Sequence, residues 1–369
     1  MKRELIRLVV SDFHLGTGNP RGQFNPLEDF HEGERFVELL EHYTSGQYAR
    51  HEVELILNGD IFDLLKVPLE GTYPDKVTEE MAARKLELAL DGHPLFCDAI
   101  VRFLEHPGTR LVYLPGNHDI ELLLPQVQEE LLERCAPGDL AEKVTFITRS
   151  DTYYLPEGIQ IRHGHQLESM NSFDYRNILL HRPGGPPVID FPWGSLFSLK
   201  VIQPFKTERF HLDQVRPFKR YILYGLFFDT WFTVRILSKF VYYFFQTRFF
   251  ETWRRQANFW ATLRMLREEF GWVSHFDELV ETLMRRSRGV DIIITGHSHQ
   301  PRIKQLPDGR LYLNAGTWTH MISLDIHRIG QRPGLTYVTI EYDDDGRPQA
   351  NLMRWRGKPR EKQAIRYQP

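Results

Sequence analysis

Val53-Glu-Leu-Ile-Leu-Asn-Gly-Asp-Ile-Phe-Asp63 is the stretch that decides the fold. Its apolar run, Val53 to Leu57, stops at Asn58-Gly59-Asp60, which predicts a buried strand that ends by delivering a carboxylate. The same grammar recurs along the chain. Leu5 to Val10 ends at Ser11-Asp12, with His14 just beyond; Leu111 to Leu114 runs into Pro115-Gly-Asn-His-Asp119; Ile292 to Thr295 runs into Gly296-His-Ser-His299. A His163-Gly-His165 segment completes the set. Glycines at these tips permit tight turns. Helices are expected between the strands, at about 34–42, at 78–104 with an interruption near Pro94, and at 120–135. That alternation predicts a layered α/β domain whose polar strand tips gather at one end, outside the sheet.

Any one of these segments, taken alone, fits a hydrogen-bonded core histidine or a surface aspartate better than a metal ligand. Together they make a donor set. Imidazole and carboxylate suit Mn, Fe, Co or Zn, and a site for two such ions needs about seven or eight ligands. Asp12, His14, Asp60, Asn117, His163, His297 and His299 supply that many.

In this order the segments resemble the signature of the calcineurin-like metallophosphoesterases: Asp-X-His, Gly-Asp-X-X-Asp, Gly-Asn-His-Asp, a later His, and Gly-His-X-His. The likeness covers residues 5–165 and 290–325, including Asn314-Ala-Gly-Thr317. It implies a layered β-sandwich flanked by helices and hydrolysis of phosphoester or pyrophosphate bonds at a pair of divalent ions, Mn foremost, with Fe, Zn or Co as the others. By the resemblance, Asp12, His14 and His299 bind one ion, Asn117, His163 and His297 bind the other, and Asp60 bridges them. A carboxylate has two oxygens and can hold both ions, whereas neutral imidazole donates a lone pair without cancelling their charge. Two ions about 3.5–4 Å apart would activate a shared water and clamp the phosphoryl oxygens, with no covalent protein nucleophile. His118 is the implied non-ligand catalytic histidine, and Asp119 next to it is a further candidate catalytic residue. An acid or charge-stabilising role for that imidazole is worth about 10²–10⁴-fold. Asp63 and Asp119 read as carboxylates that orient imidazoles. His165 stays open between support, substrate contact and plain structure, and Asn314 between support and substrate contact.

The remaining chain sets limits. At 369 residues the length suggests about two domains. A net charge of −3 gives no global attraction for nucleic acid. Cys97 and Cys135 make neither a metal nor a disulfide pattern and suit a reducing compartment. Met1-Lys-Arg-Glu4 leads straight into the first strand without a secretory pattern, so the expected location is cytoplasmic. Leu335 to Tyr342 and Asn351 to Trp355, around Asp343-Asp-Asp-Gly346, predict a hairpin followed by a basic tail, 356–369.

Between the fourth and fifth motifs lies far more chain than a loop needs. The expected organisation is a core at 1–168 and 289–355 with an inserted helical cap at 169–288, opened by Arg182-Pro-Gly-Gly-Pro-Pro187. Residues 221–250 carry 13 of the chain's 47 aromatic residues, and Ser195 to Trp260 carries 11 Lys/Arg against 4 Asp/Glu. Asp229, Arg235 and Lys239 break the run, leaving no stretch of about 18 uncharged apolar residues to span a membrane. Two readings stand: aromatic residues packed on one another and on the core, or an interfacial cap. In the second, Phe227, Phe228, Trp231 and Phe232 enter the acyl boundary while Lys200, Lys206, Arg216, Lys219 and Arg220 meet anionic headgroups. The insertion resembles that of the UDP-2,3-diacylglucosamine pyrophosphatases, which implies an amphipathic or lipid-linked phosphate ester as substrate and the inner membrane face as a peripheral location. The chain differs from them in having His118 where they commonly have Arg, His165 where they commonly have Asp, and a longer insertion. A nuclease or nucleotide phosphodiesterase, binding nucleic acid by stacking, is the alternative. A non-enzymatic scaffold should have lost ligands, and this sequence has lost none.

Overall fold

The computed structural model describes residues 4–19, 22–181, 184–216, 218–249, 276–324, 330 and 334–357. Residues 250–275 of the expected cap and 358–369 of the expected basic tail lie outside that set. In chain order the first strands are Leu5–Val10 (β1), Glu52–Asn58 (β2), Thr109–Leu114 (β3), Val144–Phe146 (β4), Tyr153–Leu155 (β5) and Ile159–Ile161 (β6). Three short ones follow: Leu179–Leu180 (β7), Val188–Ile189 (β8) and Val215–Arg216 (β9). The last are Ile292–Thr295 (β10), Arg302–Gln305 (β11), Leu311–Asn314 (β12), Ile322–Ser323 (β13), Thr336–Tyr342 (β14) and Pro348–Arg354 (β15).

They form two main sheets, ordered β15-β14-β1-β2-β3-β4 and β11-β12-β10-β6-β5. β1 to β4 run parallel, as do β6, β10 and β12. Because successive side chains alternate between faces, Val9, Ile56 and Val112 meet Ile161, Ile294 and Leu313 between the sheets. Leu8, Val10, Leu55, Leu57 and Tyr113 point the other way, into the helices. Strands buried on both faces read as unbroken apolar runs, which is why their sequence signal is strong.

Helices Gly33–Tyr43 (α1), Glu79–Gly92 (α2), Pro94–Glu105 (α3) and Pro125–Cys135 (α4) cover the outer face of the first sheet. Thr78 caps α2 by accepting from the Met81 N–H at 3.3 Å, and Pro94 opens α3, so the expected interruption is a proline at a helix start. The α/β sandwich flanked by helices is therefore the architecture found. The C-terminal hairpin of β14 and β15 forms as well, with β14 antiparallel to β1.

The segment expected as a cap supplies Trp193–Phe197 (α5), a π-helical turn at Ser198–Ile202, Gln203–Lys206 (α6), Phe218–Phe228 (α7) and Thr230–Phe249 (α8). Phe276–Arg286 (α9) lies against the second sheet, packing Val280 and Met284 on Ile293 and Tyr312. The aromatic run divides. Trp193, Leu196, Leu199 and Tyr243 join the main core, and Phe205, Phe232 and Ile236 form a small core of their own. Phe227, Phe228 and Trp231, at the α7–α8 corner, are 75%, 88% and 75% exposed. Phe232, expected on the interfacial face, is instead buried against Phe205. The expected cationic face also changes, because Lys200 pairs with Asp75 at 2.6 Å, Lys206 is buried, and Arg220 donates to the Leu324 carbonyl at 3.0 Å. Among the described residues no helix is long and apolar enough to cross a membrane.

Candidate metal centre

The C-terminal tips of β1, β2, β3, β6 and β10 converge at one end of the sandwich, carrying Asp12 and His14, Asp60, Asn117 and His118, His163, and His297 and His299 respectively. Backbone hydrogen bonds tie the tips together: the Asp12 N–H donates to the Gly59 carbonyl at 3.1 Å, His14 to Asp60 at 3.0 Å, and Gly296 to His163 at 2.8 Å. Gly116 and Gly296 are needed for close approach. A side chain at Gly116 would strike the Asp60 carboxylate, and one at Gly296 would strike Ser11 and Asp12.

Asp12, His14, Asp60, His297 and His299 all have positive φ, between 53° and 66°. A left-handed backbone at a non-glycine residue costs of order 1–3 kcal/mol and persists only where the surroundings enforce it. Here it turns side chains from several strands onto one point.

Two donor groups result. Asp12, His14 and His299 form one, with His299 Nε2 at 3.2 Å from Asp12 Oδ1 and 3.0 Å from His14 Nε2. Asp60, His163 and His297 form the other. Asp60 Oδ2 lies between them, 3.0 Å from His163 Nε2 and 3.8 Å from His14 Nε2. His14, Asp60 and His118 also converge. Asn117 is buried, and its Oδ1 accepts no hydrogen bond from the described residues.

The donors fit divalent cations on their own chemistry. His163 Nδ1 sits 2.8 Å from the Asn58 carbonyl, which can only accept, so that nitrogen carries the proton. A neutral His163 therefore turns a lone pair toward Asp60 Oδ2, and neither atom has a hydrogen-bond partner among the described residues. Either a second proton or a cation must lie between them. Burial opposes the proton, but Asp60 and Asp12 push His163 up to about 10, the same attraction a metal ion would exploit. Asp60 is held well below the usual carboxylate range, against burial, by His163 and His118. Thiolate ligation plays no part, since Cys97 and Cys135 lie on α3 and α4.

Around this centre the two carboxylates expected to orient imidazoles divide, and only Asp63 lies against imidazole nitrogens. Asp63 Oδ2 lies 3.2 Å from His118 Nδ1 and 3.5 Å from His14 Nδ1. Burial notwithstanding, Asp63 and Asp60 raise His118 to about 9. Asp119, a candidate catalytic residue by sequence, is folded back on its own loop. It accepts from the Ile61 N–H at 2.8 Å, the Gly116 N–H at 2.5 Å and the Tyr113 hydroxyl at 2.6 Å. Asn314 braces the last motif, donating to the Gly296 carbonyl at 2.6 Å and accepting from the Gly316 N–H at 2.9 Å. His165 is fully buried and stacks on Phe173 at 4.8 Å, with burial and neighbouring His163 holding it neutral.

Several supporting residues had escaped the sequence reading. Glu168 Oε2 lies 2.8 Å from His297 Nε2, leaving the other ring nitrogen of His297 for the centre, and Asn171 Nδ2 is 3.4 Å from the same atom. Ser11 Oγ donates to Asp12 Oδ2 at 2.5 Å, and Ser195 Oγ to the Asn117 carbonyl at 3.0 Å. Lys66 was discoverable: three residues after Asp63 on a helical turn, it reaches that carboxylate at 2.9 Å.

No protein-family model and no curated protein matches the chain. Among solved structures it is similar to a putative 5′-nucleotidase from Staphylococcus aureus, at 14% identity over 96% of this chain and 55% of that one, with a TM-score of 0.35. This chain thus spans about half of that nucleotidase's length. It is also similar to a dimetal phosphatase from Danio rerio, at 11% identity over 96% of this chain and 100% of that one, TM-score 0.37. A third likeness is to vacuolar protein sorting 29 from Cryptosporidium parvum, at 12% identity over 97% and 100% of the chains, TM-score 0.31. At such identities and TM-scores these likenesses carry nothing about what this chain acts on.

Proposed function

We propose that this protein is a dinuclear metal-dependent phosphoester or pyrophosphate hydrolase. The observation that carries the reading is Asp60 Oδ2, a buried carboxylate oxygen without a hydrogen bond from the described residues, between His163 and His14. Asp12, His14 and His299 would hold one cation, Asn117, His163 and His297 the other, with Asp60 shared. Two divalent cations there would activate water and withdraw charge from the phosphoryl oxygens. His118 stands at the rim with a partly exposed side chain and its Nδ1 toward Asp63. Its Nε2 is then the atom to hold a phosphoryl oxygen or protonate the departing one. Asp63 fixes that orientation, while Glu168 and Ser195 steady His297 and Asn117.

For the substrate we favour an amphipathic, lipid-linked phosphate ester, approached from an anionic membrane surface. What supports this is the exposed aromatic corner at Phe227, Phe228 and Trp231, on helices linked to the centre through Trp193 and Ser195. The test is a panel of soluble phosphoesters, nucleotides, single-stranded DNA, phospholipid headgroup esters and UDP-diacylglucosamine, run with Mn²⁺ and with metal stripped. Metal-dependent hydrolysis is expected, fastest on the lipid-linked members. Failure to hydrolyse any member with metal bound would overturn the reading, and preference for single-stranded DNA would replace its substrate half.

A further inference from the structure

Asp63 ends a buried chain of ions that the inserted segment completes. Its Oδ2 faces His118 on one side and Lys66 Nζ, at 2.9 Å, on the other. Lys66 also grips Asp29 Oδ2 and lies 3.5 Å from Asp213 Oδ2. Both Asp29 oxygens in turn receive Lys206 Nζ, at 2.9 and 3.0 Å, and one receives Gln214 Nε2 at 2.9 Å. Lys206 also reaches Asp213 at 2.7 Å. Asp29, Asp63, Lys66 and Lys206 are all nearly inaccessible to solvent. Asp29, Asp63 and Lys66 belong to the body that carries the metal centre, whereas Lys206, Asp213 and Gln214 come from the insertion.

Buried charges are costly to desolvate, and removing one member of such a set strands its partner. Without the Lys206 charge, Asp29 would keep the Gln214 hydrogen bond and Lys66 as its neighbouring cation, and Lys66 would answer more of the negative charge of Asp29 and Asp213. Asp213 already lies within 3.5 Å of Lys66, so the pull would be away from Asp63. Asp63 would then lose the cation that fixes it opposite His118, and the imidazole would lose its fixed partner. An imidazole displaced by a fraction of an ångström transfers a proton poorly even when its ligand neighbours stay in place.

We propose that Lys66 and, from the insertion, Lys206 are positioning residues for His118, acting through Asp63. This rests on the reading of His118 as the group that meets the phosphoester.

The test is a double-mutant cycle on the full chain loaded with Mn²⁺: wild type, Lys206→Met, His118→Asn and the double variant. Each is assayed on a phosphodiester with a nitrophenol leaving group and on one with an unactivated alcohol, with bound metal counted. Lys206→Met should lower kcat on the unactivated ester about 10- to 100-fold. KM and metal content should stay unchanged, with a smaller loss on the nitrophenyl ester and no further loss in the His118→Asn background. Lys206→Gln, which keeps a donor toward Asp29 but removes the charge, should give the same pattern and serves if the methionine variant does not fold. Equal losses in both backgrounds, or a loss that follows metal content, would overturn the ion chain while leaving the hydrolase intact. Absence of hydrolysis by the metal-loaded wild type would overturn both.

Discussion

His163 Nε2 stands 3.0 Å from Asp60 Oδ2 while the opposite nitrogen of the same ring is engaged at the Asn58 carbonyl. That relationship makes the pair a metal claim open to direct test. Purified protein should bind close to two equivalents of transition metal, measured by plasma mass spectrometry. Asp60→Asn keeps the size of the side chain but replaces one shared oxygen with an amide nitrogen that cannot ligate, so both sites should weaken and the count should fall well below one. A variant that retains its full metal would refute the shared role of Asp60.

His118 makes the opposite prediction. His118→Asn should lower kcat by about 10²–10⁴-fold, as expected for loss of an acid or charge-stabilising group. Metal content should remain as in the wild type. His118 also converges with His14 and Asp60 closely enough to ligate. Loss of an ion in His118→Asn would therefore make it a ligand and remove the role argued above.

The strand tips were legible because parallel strands buried on both faces leave continuous apolar runs, and each of those runs ends at a residue of the converging donor groups. β6 was not legible: Ile159-Gln-Ile161 is too short to distinguish from any buried pair of isoleucines. The left-handed backbone at Asp12, His14, Asp60, His297 and His299 was not legible either, since local preference opposes it and only the closed tertiary structure enforces it. Asp63 and Asp119 read alike as carboxylates that orient imidazoles, but Asp119 is drawn back by the N–H groups of Ile61 and Gly116. Asp63 stands fifty-five positions before His118, so which imidazole it meets is set by the fold and carries no local signal. Glu168 and Lys206 reach partners more than a hundred residues away, at 129 and 177 positions, and carry no local signal.

Acid should expose the Asp29 cluster. Burial opposes its charge, yet Lys66 and Lys206 hold the Asp29 carboxyl well below the usual carboxylate range, and Asp63 is depressed in the same direction. A depressed carboxylate contributes stability above its unfolded pKa, near 3.9, and that contribution is lost as pH falls through the folded value. Chemical denaturation between pH 7 and pH 3 should therefore show stability falling below about pH 4. Asp29→Asn leaves two buried lysines short of a counter-charge and should cost about 3–5 kcal/mol at pH 7. Its stability should also depend less on acidification; a slope equal to that of the wild type would sink this account.

The exposed corner between α7 and α8 separates a membrane-facing surface from a packed one. Phe227, Phe228 and Trp231 are largely exposed, so replacing all three with serine should leave the melting temperature close to that of the wild type. Phe232 must be left out of the set, because its burial against Phe205 makes it core and its loss would confound the reading. Apolar area entering the acyl boundary contributes about 25 cal/mol per Å² whatever the ionic strength. Lys200, Lys206 and Arg220 are all engaged within the protein, so salt should weaken binding to anionic vesicles only modestly. In a vesicle sedimentation assay the triple variant should bind far less than the wild type at low and at high salt. Hydrolysis of a small soluble phosphoester should survive, since that substrate needs only the metal centre. Wild-type binding to vesicles by the triple variant would end the lipid reading, and selective loss of single-stranded DNA binding would give the corner to a nuclease instead.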